Sequence, residues 1–180
     1  MKVGMVFASV LVLVCAASCR KPEPAGLTAL DYFEIQQLVA KYAHAIDTCS
    51  NNGYDYADLF APDGYFAPTM NGTIGIKFQG REQLAEVSGG GAAGCRDVPW
   101  IKEGVHHLYV NHTITPSGAG ATGKVDMLMI GLGGDPNRIE YDGTYDDVYV
   151  RTPAGWRFQS RTHHAVLNQG KRVPAEPAAR

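Results

Sequence analysis

The chain has 180 residues, 45% of them hydrophobic, and a formal net charge of −2. That is enough apolar material for one domain with its own core, and the near-neutral balance leaves no basic footprint for nucleic acid.

The chain opens with Lys2, the apolar run Val3 to Val14, and then "CAASC" before the charged "RK". A short apolar stretch ending in small residues predicts an export signal over residues 1–19 rather than a spanning helix. The "AASC" ending resembles a bacterial lipobox, in which Cys19 becomes the lipidated first residue, although Ala16 stands where such motifs usually carry leucine. Cleavage after Ala17 or Ser18 is the alternative. A lipidated Cys19 would tether a periplasmic or membrane-anchored domain to the membrane surface with no helix crossing it. Export implies an oxidising compartment, where Cys49 and Cys95 can form a disulfide or stand as two free thiols.

"RKPEPAG" reads as a Pro-rich linker over 20–26, the domain as 27–167, and the polar end as a flexible tail over 168–180. Thr28 is an N-cap with Asp31 three residues on, and Ile35, Leu38, Val39, Tyr42 and Ile46 recur at helical spacing. They predict a helix over Ala29 to Asp47. A second helix is expected over Asp55 to Phe60, stopped by "APDG", then strands at Tyr65 to Ala67 and Ile74 to Phe78. "GREQLAEVS" predicts a third helix, and "GGGAAGCRDVPW" a mobile loop at a site mouth. Four long strands follow, Val105 to Thr115, Thr122 to Leu132, Arg138 to Val150 and Trp156 to His164, divided by turns. Helices first and an antiparallel meander afterwards make an α+β fold. In "GVHHLYVNHTI" strict alternation puts His107, Tyr109 and Asn111 on one face and His106, Leu108, Val110 and His112 on the other.

Taken in order, "IQQLVAKYAHAID", "LFAPDG", "GREQL", "HHLYVNHTI" and "GTYDDVYVRTPAGWRFQSR" resemble the SnoaL-like branch of the nuclear-transport-factor-2-like superfamily, which includes polyketide cyclases, scytalone dehydratase and bile-acid dehydratases. The resemblance implies a cone-like curved antiparallel sheet packed against N-terminal helices around an apolar cavity, in a homodimer or homotrimer. Carried over position by position, it implies catalytic roles for Tyr42, Asp47, His107 and Asp126, and a substrate contact for Arg161.

Read as chemistry, Asp47 hydrogen-bonded to His107 would fix the imidazole tautomer and make it a general base. Tyr42 would donate to a carbonyl oxygen, or stand as a core tyrosine. Asp126, among Val, Met and Leu, is either a buried acid or a solvated residue of an outer face. Asn111 would orient substrate or bridge to a neighbouring strand. Arg161 shares a face with Trp156 only if a bulge intervenes, and otherwise pairs with Asp146 or Asp147 at the surface. The histidines show neither HExxH nor CxxC spacing, and the resemblance implies a branch that mostly works without metal, so neither metal nor cofactor is expected. The reading is a cofactor-free dehydratase or proton-transfer isomerase for a small hydrophobic hydroxy-carbonyl or polycyclic compound. Its alternatives are a non-catalytic ligand-binding lipoprotein and an epoxide or ester hydrolase.

Overall fold

A computed structural model describes residues 26–70 and 72–165. The expected export signal with Cys19, most of the expected linker and the expected tail lie outside the described residues.

Helix α1 (Ala29–Thr48) begins as the sequence predicts. Thr28 Oγ1 accepts from the Asp31 N–H at 3.2 Å, and Asp31 Oδ2 accepts from the Thr28 N–H at 2.8 Å, a reciprocal capping box. Asp31 also accepts from Trp156 Nε1 at 3.1 Å and from Arg151, which ties the helix start to the last hairpin. These bonds, led by those from Thr28, hold its carboxyl down at about 2. The buried stripe Ile35, Leu38, Val39, Tyr42 and Ile46 faces the sheet. The helix ends at Cys49, whose φ of 48° is left-handed, and Asn51 and Asn52 take the same conformation in the exit turn.

The second helix is shorter and earlier than its sequence suggests. It is α2 (Tyr54–Ala57), and Phe60 already opens strand β1 (Phe60–Met70). Burial decides this: Phe60 packs its ring 5.3 Å from Phe158, and Leu59 O accepts from the Phe158 N–H at 3.0 Å. "APDG" therefore lies inside an irregular strand. The expected strand at Ile74 to Phe78 is two short pieces, β2 (Thr73–Ile74) and β3 (Phe78–Gln79).

Helix α3 (Arg81–Val87) leads into the glycine-rich segment, which ends in α4 (Pro99–Lys102). That segment is anchored at several points. Gly91 N–H donates to Asn52 O at 2.8 Å, and a Cβ on Gly90 would stand 2.0 Å from the same oxygen. A disulfide joins Cys95 to Cys49, with Cα atoms 6.1 Å apart.

Strands β4 (His106–Ser117), β5 (Gly120–Ile130), β6 (Ile139–Thr152) and β7 (Gly155–Ala165) form the antiparallel meander. They belong to a seven-stranded sheet ordered β2-β1-β7-β6-β5-β4, with β3 also beside β1. The sheet is mixed rather than wholly antiparallel, because β1 runs parallel to β7. Between β1 and β7 the chain runs through α3, α4 and strands β4 to β6, a long connection of the kind parallel neighbours need. Register shifts interrupt four of the pairings, β1 with β7 and each pairing of the meander, and such irregularities bend strands. The inner face is thereby wrapped around α1.

Candidate functional site

Asp47 occupies the last turn of α1, where a carboxylate opposes the helix dipole. Its partners lie on β4. It accepts from the His107 backbone N–H at 3.1 and 3.3 Å, and its Oδ1 is 2.5 Å from His107 Nδ1. Both side chains are at most 10% exposed. A carboxylate accepts, so Nδ1 carries the proton and Nε2 keeps its lone pair. His106 points outward, 72% exposed, with Nδ1 3.6 Å from the other Asp47 oxygen. The helix end thus grips both histidines, and only one of them is buried.

Strand alternation holds from His107 to Tyr109 and then fails. Val110 pairs with Asp126 and Thr113 with Lys124, so Asn111 and His112 together oppose Val125. This is a bulge, with Asn111 at a φ of 55°. The expected faces are exchanged from that point. Asn111 leaves the His107 face and donates through Nδ2 to Asp126 Oδ2 at 2.8 Å on the exposed side. His112 turns inward to Tyr149, Nε2 to Oη at 3.0 Å. Burial, reinforced by the charge of Arg161, holds His112 down at about 4.

Two sequence expectations are therefore corrected. Asp126 is not inside the cup, because its neighbours Val125 and Met127 are the buried pair and alternation sends it outward. Asn111 cannot contact a substrate beside His107, because the bulge turns it away.

Arg161 is inside. Tyr149 pairs with Phe158 and Val148 with Ser160, so Gln159 is the extra residue that brings Arg161 onto the face of Trp156 and Phe158. Its guanidinium is fully buried, with Cζ 4.0 Å from the ring centre of Tyr42, 4.1 Å from Tyr145, 4.7 Å from Tyr109 and 4.8 Å from Phe158. The expected partner Asp147 is there, Oδ1 3.5 Å from Nε, but the pair is buried rather than at the surface. Nε, Nη1 and Nη2 have no hydrogen-bond acceptor among the described residues. Burial opposes the charge, yet Asp147 and the surrounding phenols keep the guanidinium pKa above its usual value. Burial pushes the Asp147 carboxyl up, against the pull of Arg161 and of the 2.7 Å bond from the Tyr149 hydroxyl. Within this pair Arg161 keeps its charge and Asp147 is the member that can neutralise.

Tyr42 reaches the same cluster from α1. It is fully buried, its hydroxyl 3.0 Å from that of Tyr56, and burial raises its phenol pKa. Its ring centre lies 5.6 Å from Tyr109, two residues along β4 from His107. Asp47, His107, Tyr42 and Arg161 thus line one interior wall, and Asp126 and Asn111 do not. The aromatic cage was legible only in part: Tyr145, Asp147 and Tyr149 alternate along one strand face, a pattern that places an acid between two aromatics. A separate cleft of about 740 Å³ lies on the outer side of α1, lined by residues including Phe33, Lys41, His44 and Trp156.

Residues 28–162 match the family described as the SnoaL-like domain. The uncharacterized protein Rv2910c of Mycobacterium tuberculosis is 32% identical over 136 residues, covering 73% of this chain and 82% of that one. Among solved structures, an NTF2-like protein with a cystatin-like fold from Novosphingobium aromaticivorans superposes with a TM-score of 0.59 at 22% identity, over 78% of this chain and 85% of that one. A candidate scytalone dehydratase from the same organism gives 0.58 at 20% identity, over 84% and 95%. At these identities the structural likenesses establish the fold.

Proposed function

The chain belongs to the SnoaL-like family and has its NTF2-like fold, and from that premise we propose that it is a cofactor-free lyase, a dehydratase of small hydrophobic β-hydroxy-carbonyl compounds. The observation that carries this reading is the buried Asp47–His107 pair, with Nδ1 committed to the carboxylate and Nε2 left as a base. His107 Nε2 takes the proton next to the carbonyl, and Asp47 balances the imidazolium that forms. The enolate oxygen develops beside the phenols of Tyr42 and Tyr109, with the Arg161 charge behind both rings. In a water-excluded interior a fixed positive charge favours that oxyanion. Loss of the β-hydroxyl then gives the enone and water. A proton-transfer isomerase would use the same base and differ only in returning the proton to carbon.

The probe 3-hydroxy-1-tetralone tests the reading, because loss of water from it gives 1-naphthol, which is followed by fluorescence. Wild type should release 1-naphthol, and His107→Gln should lose at least about a hundredfold in kcat, the usual scale of a general base. Equal turnover by wild type and His107→Gln would contradict it.

The rival reading, a non-catalytic ligand-binding domain, draws on the cleft of about 740 Å³ outside the α1 wall. The same probe separates the two, since that cleft contains neither Asp47 nor His107. Export is part of the proposal, supported by the Cys49–Cys95 disulfide, a bond that persists in oxidising compartments. So is self-association through the outer sheet face, supported by the exposed side chains of Leu108, Val110 and Val148.

A further inference from the structure

With Asp126 outside the cup, the proposed elimination lacks the acid that must protonate the leaving hydroxyl. A second histidine–carboxylate pair lies on the same interior wall. His163 on β7 pairs in register with Tyr145, and the two rings stack with centroids 4.7 Å apart and planes at 21°. His163 Nε2 stands 3.0 Å from Asp142 Oδ2, an ion-pair contact without hydrogen-bond alignment, and the two side chains are 14% and 17% exposed. Asp142 is brought there by another irregularity: Met127 pairs with Gly143 and Leu128 with Tyr141, so Asp142 is the extra residue of a bulge. Next to it Glu140, opposite Met129 and therefore in the row of His107, has an Oε2 that is buried without a hydrogen-bond partner among the described residues.

A row of packed rings on the inner face joins the two histidines. Tyr109 follows His107 on the inner face of β4, and its ring lies 5.6 Å from that of Tyr145, which carries His163. β4 and β7 are separated by β5 and β6, roughly three strand spacings or about 14 Å between backbones on a flat sheet. The sheet is curved, so the straight-line gap is shorter than that.

We propose that His163, held by Asp142, is the general acid of the site and donates its proton to the departing hydroxyl of a β-hydroxy-ketone. The inference rests on the lyase reading and completes it. His107 takes the proton from the α-carbon, and that C–H electron pair becomes the new C=C bond. The C–O bond breaks with its electron pair on oxygen, and the His163 proton makes the leaving group water. His107 ends protonated and His163 neutral, and exchange with solvent restores both. In the protonated His163 ring the Asp142 carboxylate balances the charge, as Asp47 does for His107.

Two substrates and three variants test it. 3-Hydroxy-1-tetralone needs its leaving oxygen protonated, whereas 3-acetoxy-1-tetralone expels acetate without that help. His163→Phe keeps a ring to stack on Tyr145, and Asp142→Asn keeps the shape of the partner, so neither removes packing volume. Both should lower kcat on the hydroxy compound, by about a hundredfold or more for His163→Phe, with KM changed little. On the acetoxy compound they should stay within a few-fold of wild type, while His107→Gln loses both substrates. Equal losses on the two substrates, or no loss on either, would overturn the assignment of His163 and leave His107 as base. No turnover of either compound by wild type would overturn the lyase reading and this inference with it.

Discussion

Arg161 is the residue on which the interior turns. A guanidinium enclosed by four aromatic rings and facing one buried carboxylate is costly to desolvate, and truncating either partner exposes that cost differently. Asp147→Ala leaves a buried cation that cannot discharge, and should cost about 3–5 kcal/mol in denaturant unfolding. Arg161→Met leaves a carboxyl that burial already pushes toward the neutral form, so its cost should be smaller. His112 supplies the pH dependence. Its folded pKa of about 4 lies below the ordinary histidine value of 6.5, so its contribution is complete above 6.5 and is lost as pH falls toward 4. Thermal unfolding from pH 7.5 to 4 should show Tm falling through this window, and His112→Gln should flatten that slope. Asn111 makes a third point: with φ at 55°, Asn111→Val should cost about 1–2 kcal/mol and more than Asn111→Gly. Equal midpoints for the two variants would remove the strain argument.

At the scale of elements, helix α1 was legible almost to the residue, because its capping box, its apolar spacing and its Asn-rich exit all agree with its packing. The inner face of β4 was legible only as far as Tyr109. Alternation is a local rule, and a bulge is set by the register of two strands, which sequence spacing does not carry. That is why the inward face of His107 was legible while those of Asn111 and His112 were not; Asp126 obeys alternation, and its site role was only what the resemblance implied. Gln159 and Asp142 obey the same logic, and each irregularity turns a side chain of the candidate site inward. The Cys49–Cys95 bond acts at this scale too, closing a chain segment with a sequence separation of 46 and pinning the glycine-rich loop two residues beyond Asp47. Replacing both cysteines by serine should cost about 2–4 kcal/mol by the loop-closure account, read from the urea midpoint. A shift below half a kcal/mol would mean that hydrogen bonds such as Gly91 to Asn52 already hold the loop.

For the whole molecule, the order of helices and long strands led to the right fold, while the parallel placement of β1 depended on a crossover that no local pattern encodes. The outer face of the sheet leaves Leu108, Val110 and Val148 exposed, and Val148→Lys with Leu108→Glu should lower the mass measured by light scattering if copies associate there. An unchanged mass would exclude that face. Everything proposed about catalysis depends on a base prepared in the interior by the end of α1. Heteronuclear NMR of the His107 ring measures this directly. An Nδ1–H tautomer with a strongly downfield proton is expected, lost in Asp47→Asn, with an Nε2 signal that shifts when 3-hydroxy-1-tetralone is added. An Nε2–H tautomer, or a ring indifferent to both the substitution and the ligand, would contradict it.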